Sequence, residues 1–273
     1  SLDLAKLLSP VDEATEDLVL NDNNLQSIKN APEFITNKSP DTPTNRVSTS
    51  LFSRERLSFL LSFGIAYVHN TNAGYEKHIM RYPQIFATKA IEKAIEHGTR
   101  KGIIWHTQGS GKTALAYYNV HHLTDYFRSK NVVPKFYFVV DRISLMTQAS
   151  SEFRSRGLVV HVVDSRDEFA RDIKSTSAIH NASGRPEITV VNIQKFKDDP
   201  DVVTSSDYDI DIQRVYFLDE VHRSFNPQGS FLANLNQSDT NAIKIGLTGT
   251  PLIGKNLKSR DLFGDYIHKY YYN

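Results

Sequence analysis

Residues 106–113 are His-Thr-Gln-Gly-Ser-Gly-Lys-Thr, the residue types of a phosphate-binding loop. Two glycines separated by one residue let the backbone curl so that successive N–H groups point at phosphate oxygens. A helix that starts at the loop adds the partial positive charge of its N-terminus. Lys112 is expected to contact the β and γ phosphates, and Thr113 to offer its hydroxyl to Mg²⁺. We therefore expect nucleotide binding by Thr107, Gln108, Gly109, Ser110, Gly111, Lys112 and Thr113.

The loop departs from the full pattern at one position, because the glycine that usually opens it is His106 here. The shorter string Gly-Ser-Gly-Lys-Thr remains, between a predicted strand at residues 103–105 and a predicted helix at residues 113–127. A glycine turn that caps a helix beside an incidental lysine is the competing interpretation. The strand before the loop and the helix after it favour the phosphate loop.

Two adjacent carboxylates, Asp219 and Glu220, follow the apolar residues 215–218. Placing both at the end of a buried strand costs several kcal/mol unless a cation or donors meet them, and Mg²⁺ is such a cation. We expect Asp219 to hold Mg²⁺ through water and Glu220 to orient or deprotonate the water that attacks the γ phosphate. The predicted catalytic residues are Glu220, Asp219 and Lys112. Capping of a following helix by Asp219 is the alternative.

Two shorter signals extend this site. Thr248, Gly249 and Thr250 follow another apolar run, and their hydroxyl groups are suited to bridge the carboxylate pair to a bound nucleic acid. On its own, that triplet is a turn. Gln84 lies at the start of a predicted helix, and its amide offers both a donor and an acceptor to an adenine edge. On its own, Gln84 is an exposed helix residue.

These side chains need a scaffold that brings several strand ends together. From residue 102 onward, apolar runs alternate with helical stretches, and the runs cover residues 103–105, 136–140, 158–163, 188–193, 215–218 and 243–247. Near-continuous Val, Ile, Leu and Phe runs separated by helices are typical of parallel strands buried on both faces. The pattern predicts an α/β fold with a mostly parallel sheet flanked by helices.

The composition excludes several classes of protein. The chain has 273 residues, with 32 Lys and Arg against 31 Asp and Glu, a net charge of +1 and no cysteine. Disulfides, Cys-ligated zinc and a thiol nucleophile are therefore excluded, and the charge balance gives no long-range steering toward nucleic acid. The apolar stretch 57–68 is well short of the ~20 residues that span a bilayer, so no membrane helix is expected.

Three regions are predicted along the chain. Residues 1–50 form a partly irregular extension or linker remnant, because residues 38–50 are rich in Ser, Thr, Pro, Asn and Asp. Residues 51–100 form a helical lead-in that carries the adenine-reading segment, and residues 101–273 form the nucleotide-binding domain. The absence of an initiating Met indicates a piece of a longer protein.

Taken together, the motifs resemble those of superfamily 2 helicases and translocases. Gly-Ser-Gly-Lys-Thr matches motif I, Asp-Glu-Val-His at 219–222 matches motif II, and Thr-Gly-Thr at 248–250 matches motif III. Within that superfamily the chain is most similar to the motor subunit of type I restriction-modification enzymes. The phrases that carry this likeness lie at residues 81–87, 104–107, 138–142, 192–196, 219–224 and 262–264. Motif II of that family often has Cys where this chain has Val221, a change that leaves the chemistry intact.

The resemblance implies the first of two RecA-like motor domains, which uses ATP and Mg²⁺ to translocate double-stranded DNA before cleavage. It also implies modification (methyltransferase) and specificity subunits as partners, and a prokaryotic cytoplasmic location. By the same resemblance, His222 with Thr248, Gly249 and Thr250 couples the ATP site to nucleic acid, and Arg142, Gln194 and Lys195 contact the DNA backbone. Ordinary surface charge is the alternative for Arg142 and Lys195.

The family's second motor domain, which supplies an arginine finger, and its nuclease domain have no counterpart in this sequence. Because such an arginine is worth about 10³ to 10⁵ in rate, we expect the chain alone to hydrolyse ATP weakly or not at all. Two other functions stay open. One is a different superfamily 2 motor, such as a type III restriction subunit or a repair helicase, and the other is a docking module without turnover.

Overall fold

The computed structural model describes residues 12–22, 24–39, 41, 45, 52–196, 211–220, 235, 238–250 and 263–271. The chain divides into two compact units, Ser1–Ile65 and Ala66–Asn273. The functional boundaries at residues 50 and 100 stay predictions. The motifs singled out above all lie in the second unit.

The described part of the first unit consists of short helices. They are α1 (Glu13–Asp22), a 3₁₀ turn (Gln26–Ile28), α2 (Pro32–Lys38) and α3 (Arg54–Phe63). Ser53 caps α3, because its hydroxyl accepts a hydrogen bond from the Arg56 N–H at 3.4 Å. An ion pair connects α1 and α2, with the Lys38 ammonium 2.7 Å from Glu16. The extension predicted as partly irregular therefore contains helical segments held by polar contacts.

A two-stranded hairpin, β1 (Ile65–Asn70) and β2 (Gly74–Ile79), precedes the main sheet. Gly74, the first residue of β2 after the turn, has φ +76°, a backbone conformation that favours glycine. Tyr67 and Tyr75 are exposed, so the hairpin lacks the apolar alternation of a half-buried strand pair. The sequence analysis predicted a helical lead-in over residues 51–100 and missed this hairpin, because its strands lack a clear alternation of apolar and polar residues.

Seven strands form the main sheet in the order β5-β6-β4-β7-β8-β3-β9, and every described pairing is parallel. The strands are β3 (Lys101–His106), β4 (Val133–Val140), β5 (Val159–Val163), β6 (Glu187–Asn192), β7 (Ile212–Asp219), β8 (Ile243–Thr248) and β9 (Tyr266–Tyr270). All residues of β6 and β8 are buried, as both faces of a parallel sheet require.

Four helices of the described chain connect and cover these strands: α4 (Tyr82–Glu96), α5 (Lys112–Arg128), α6 (Ile143–Ser155) and α7 (Arg166–Lys174). α5 packs against β4, and α6 packs against β5 and β6. The core includes Tyr137 stacked on Tyr216, with ring centroids 4.7 Å apart, and the fully buried Phe169 from α7. The predicted α/β fold with a mostly parallel sheet flanked by helices is confirmed.

The strand order decides where a ligand can bind. β3, β8, β7 and β4 are consecutive neighbours in the sheet, so their carboxyl ends lie side by side at one edge. The loops that follow those ends carry the sequence motifs at 107–113, 249–250, 219–220 and 141–142. Ligands of α/β sheets bind outside the carboxyl ends of the strands, which makes this edge the candidate site.

Candidate functional site

The loop between β3 and α5 has the backbone of a phosphate cradle. Gly109 and Gly111 have φ values of +78° and +83°, in the left-handed region that other residues rarely adopt. Gly111 is the N-cap of α5, and no side chain caps the free N–H groups of that helix. The hydroxyl oxygens of Thr107 and Ser110 are buried and lack a hydrogen-bond partner among the described residues. Unpaired donors around a helix N-terminus suit an anion.

The start of α4 supports this loop from behind. The Gln84 amide nitrogen donates to the Gly111 carbonyl at 3.1 Å, and its oxygen accepts from the Arg81 N–H at 2.9 Å. The Arg81 guanidinium donates to the Gly109 carbonyl at 3.0 Å. Gln84 is 4% exposed, so the structure buries the residue that was predicted to read adenine. Each amide atom keeps one further hydrogen-bonding position after these contacts.

Lys112 and Glu220 meet across the site. The Lys112 ammonium lies 3.5 Å from the Glu220 carboxylate and 3.5 Å from the His106 carbonyl. Both side chains are largely buried, at 12% and 19% exposure. The structure thus brings together two residues that were predicted from separate motifs, 108 positions apart along the chain.

The segment after β8 holds the Glu220 carboxylate. The Gly249 N–H donates to one carboxylate oxygen at 2.6 Å. The Thr248 hydroxyl lies 3.3 Å from the other oxygen and 3.0 Å from the Thr250 carbonyl, and its single proton is shared between these two acceptors. Glu220 itself has φ +51°, which is unusual for a residue with a side chain, and its N–H donates to the Leu247 carbonyl at 2.9 Å. A non-glycine residue in this conformation costs about 1–3 kcal/mol and is held in place by its surroundings.

A histidine pair connects the loop to the edge strand β9. His106 and His268 are hydrogen-bonded through ring nitrogens 2.8 Å apart, and the Thr107 N–H donates to the Tyr270 carbonyl at 3.1 Å. Burial, with smaller effects of His268 and Lys112, lowers the pKa of His106 to about 3. Burial lowers the pKa of His268 to about 4. Both rings are therefore neutral at pH 7, with one donating to the other.

A cavity of about 590 Å³ opens at this edge of the sheet. Residues from the phosphate loop, from the carboxylate pair and from the segment after β8 line it together. Among the predicted site residues, the lining contains Gln108, Gly109, Gly111, Lys112, Thr113, Asp219, Glu220, Gly249, Thr250 and Arg142. The hydroxyl of Thr113 and the carboxylate of Asp219 are hard oxygen ligands in one cavity, a donor set that fits Mg²⁺.

Arg142, predicted to contact DNA, lies beside the predicted phosphate pocket. It is the N-cap of α6, its side chain is 65% exposed, and its guanidinium is 4.0 Å from the Asp141 carboxylate. Gln194 is exposed in the 3₁₀ turn after β6 and does not line the cavity. The side chain of Lys195, and all of His222, lie outside the described residues.

Three residues of the site escaped the sequence analysis. Arg81 donates a hydrogen bond to the Gly109 carbonyl of the phosphate loop, and the sequence marked it only as part of the family-like segment at residues 81–87. His106 was noted as a departure from the glycine pattern, and its partner His268 is 162 positions away, so no local pattern could pair them.

Comparison with known proteins agrees with this geometry. The family model described as SWI2/SNF2 ATPase matches residues 83–273, which contain the phosphate loop, the carboxylate pair and residues 248–250. The chain belongs to the SWI2/SNF2 ATPase family. The predicted resemblance to superfamily 2 motors is therefore confirmed, and this ATPase domain binds nucleotide as its family implies.

Curated relatives of this SWI2/SNF2 ATPase chain are named as type I restriction enzyme endonuclease subunits. The MjaVIIIP subunit of Methanocaldococcus jannaschii is 29% identical over 225 residues, which is 77% of this chain and 22% of the relative. The SsaAORF53P subunit of Staphylococcus saprophyticus is 29% identical over 200 residues, which is 70% of this chain and 20% of the relative. The chain thus spans about a fifth of the length of these two relatives.

Solved structures with similar folds include T4 UvsW, at a TM-score of 0.49 and 16% identity, covering 79% of this chain and 38% of that one. The Type ISP restriction-modification enzyme LlaBIII bound to DNA has a TM-score of 0.47 and 14% identity, covering 71% of this chain and 16% of that one.

Within the described residues, no helix has the length and apolar character needed to cross a membrane.

Proposed function

We propose that this chain is the first motor domain of an ATP-driven translocase of double-stranded DNA within the endonuclease subunit of a type I restriction enzyme. The observation that carries the proposal is the meeting of Lys112 and Glu220 in one cavity, with Gly249 holding the carboxylate. The relatives named as restriction endonuclease subunits favour this function over a type III restriction subunit or a repair helicase. Modification and specificity subunits are the proposed partners.

The phosphates of ATP are proposed to lie against the free N–H groups at the start of α5, where Lys112 moves from Glu220 to the β and γ phosphates. The Ser110 and Thr107 hydroxyls, which lack partners among the described residues, add donors near the phosphates. Thr113 and Asp219 would hold Mg²⁺, which would supply positive charge beside the phosphate oxygens. Gln84 keeps the loop in shape and reads the adenine edge with its remaining donor and acceptor.

Glu220 is proposed to act as the base that positions the attacking water. Its carboxylate is held by the Gly249 N–H and contacted by the Thr248 hydroxyl, so a movement of that segment changes the direction of the carboxylate. We propose that Thr248, Gly249 and Thr250, with His222, pass the state of the ATP site to DNA in this way. Arg142, Gln194 and Lys195 are proposed to contact the DNA backbone through a few local contacts, because the chain as a whole has a net charge of only +1.

ATP binding tests the first step. We expect the chain to bind a fluorescent ATP analogue in a Mg²⁺-dependent manner, and Lys112→Ala to weaken this binding at least about tenfold, because a charge-assisted contact to phosphate contributes about 1.5–3 kcal/mol. Lys93→Ala removes an exposed lysine of α4 and serves as the matched control. Equal affinity of the Lys112→Ala variant and the wild type would reject the phosphate loop.

Turnover distinguishes a motor from a docking module. In the full-length protein we expect DNA-stimulated ATP hydrolysis and displacement of a triplex-forming oligonucleotide from a linear duplex. Glu220→Gln should retain ATP binding and lose both activities, since the amide cannot accept the proton of water. A docking module predicts no DNA-stimulated hydrolysis in the wild type, and retained turnover in the variant would exclude Glu220 as the base.

A further inference from the structure

A second cluster of ligand-type side chains lies away from the cavity. His161 comes from β5, Asp172 from the last turn of α7, and His180 from the segment between α7 and β6. One ligand atom of each lies within 4.8 Å of the other two. The neighbouring Glu187 is the first residue of β6, so the cluster lies toward the amino ends of the strands, whereas the phosphate loop follows a carboxyl end.

We propose that His161, Asp172 and His180 bind a divalent transition-metal ion of the Zn²⁺ class, independently of the nucleotide. Two imidazoles and one carboxylate are a common protein ligand set for such ions, and a water molecule completes four-coordination. The ion would join the edge strand β5, helix α7 and the segment 175–186, adding to the contacts that Lys135 already makes with Asp172 and with the Ser177 carbonyl. Its role is structural, because the proposed ATP chemistry takes place at the opposite edge of the sheet.

The orientation of His180 carries the proposal furthest. Its Nδ1 lies 2.5 Å from a Glu187 carboxylate oxygen, and its Nε2 lies 2.6 Å from Asp172. Metal-binding histidines characteristically donate one ring N–H to a carboxylate, here Glu187, and bind the ion through the other nitrogen. An ion between His180 and Asp172 would replace their direct contact and release any proton that Nε2 carries. Glu187 is itself held by the Asn181 amide at 2.9 Å, so the direction of the ring is fixed from behind.

Asp172 supplies a buried oxygen that a cation can complete. Its side chain is 2% exposed, and Oδ1 accepts from the Lys135 ammonium at 3.1 Å. Oδ2 is buried without a hydrogen bond of ordinary geometry, and the buried Tyr137 hydroxyl interacts with this carboxylate. A metal ion would give Oδ2 a stronger partner than this hydroxyl.

His161 closes the site on its more exposed side. Its ring stacks on the His180 ring with centroids 4.0 Å apart and an interplanar angle of 21°, and the two side chains are 25% and 32% exposed. Ligand atoms around tetrahedral Zn²⁺ lie about 3.4 Å apart, because each Zn–ligand bond is about 2.1 Å. The ligand atoms lie within 4.8 Å of one another, so the His161 ring has to approach by up to about 1.4 Å to reach that spacing. The 2.6 Å contact between His180 Nε2 and Asp172 has to lengthen by about 0.8 Å. The exposed side of His161 leaves a path for the ion.

Titration of the EDTA-treated chain with ZnCl₂ by isothermal calorimetry tests the proposal. We expect one ion per chain, a raised unfolding temperature, and a tetrahedral Co²⁺ absorption band when Co²⁺ replaces Zn²⁺. His161→Gln should abolish stoichiometric binding, and Glu187→Gln should weaken it by about 10- to 100-fold through the orientation of His180. His97→Gln, an exposed histidine at the end of α4, is the matched control and should bind as the wild type does.

Three results would overturn the proposal: no stoichiometric binding by the wild type, binding that His161→Gln leaves unchanged, or an equal loss in His97→Gln. The His161→Gln variant is suited to this test because the His161 side chain is partly exposed, and a far-UV circular dichroism spectrum verifies the fold of the variant. ATP affinity measured on the same samples should be identical with and without Zn²⁺. This readout separates the metal site from the proposed nucleotide function.

Discussion

Replacing Gln84 by Glu turns the amide group that donates to the Gly111 carbonyl of the phosphate loop into a carboxylate oxygen, which accepts. The glutamate retains the oxygen that accepts the Arg81 N–H at 2.9 Å, but it places a second oxygen against the Gly111 carbonyl, where the amide donated at 3.1 Å. The side chain is 4% exposed, so water cannot replace the lost donor. The size of the side chain is nearly unchanged, and the effect is therefore one of hydrogen bonding and charge.

An unpaired buried carbonyl costs about 1–3 kcal/mol, which corresponds to about 5- to 150-fold in ATP affinity if the loop must keep this shape to bind. Burial raises the pKa of the carboxyl introduced at position 84, and its protonated form can donate to the Gly111 carbonyl. The folded variant then binds a proton more tightly than the unfolded chain, so its unfolding free energy falls as pH rises. The defect should be greater at pH 8 than at pH 6.

Titration with a fluorescent ATP analogue and urea unfolding, both at pH 6 and pH 8, measure these effects. Gln213→Glu is the matched control, because the Gln213 amide donates to the Asn241 carbonyl at 2.9 Å and accepts from Arg100 at 2.8 Å, away from the cavity. The control should change unfolding alone and leave ATP affinity intact. Wild-type ATP affinity of Gln84→Glu at pH 8 would refute the claim that Gln84 holds the loop.

Two further predictions concern the same site. Because the pKa of His106 is about 3 and that of His268 about 4, the unfolded chain takes up protons below pH ~6.5 that the folded chain does not. The unfolding free energy of the wild type, measured by urea unfolding, should fall by about 2 kcal/mol per histidine from pH 7 to pH 5. A double variant, His106→Phe with His268→Phe, should lose this pH dependence. An equally steep fall in the double variant would contradict the prediction. Gly249→Ala would place a Cβ 3.1 Å from the Glu220 carboxylate, so ATPase assays of the full-length protein should show about tenfold lower turnover at unchanged ATP affinity. Unchanged turnover would show that this carboxylate tolerates displacement.

The central strands were predictable because their burial in the sheet is reflected in short apolar runs of the sequence. β6 and β8 are buried along their whole length, and each keeps three apolar residues, Ile188, Val190 and Val191 in β6 and Ile243, Ile245 and Leu247 in β8, beside buried polar ones. The phosphate loop was predictable because positive φ at Gly109 and Gly111 demands glycine. Both signals are local, so a single sequence is enough to find them.

The edge elements were not predictable in the same way. β9 pairs with one strand only among the described residues, and all its residues are partly buried, so its Tyr, His and Lys side chains give no apolar run. α7 has few apolar residues, yet Phe169 and Ile173 are fully buried in the core. The pairing of His106 with His268 depends on that edge strand lying beside β3. Contacts between positions far apart in sequence are set by strand order, which residue patterns do not specify.

The two charged residues at the centre of the site are held with different strengths. The Lys112 ammonium lies 3.5 Å from each of its two described acceptors, beyond the roughly 2.7–2.9 Å of a strong charge-assisted hydrogen bond. Glu220, by contrast, accepts the Gly249 N–H at 2.6 Å. A phosphate can therefore draw Lys112 away at small cost, while the carboxylate stays where its donors hold it. In the proposed mechanism, this asymmetry makes phosphate binding by Lys112 and the positioning of water by Glu220 separate events, the second controlled by the segment after β8.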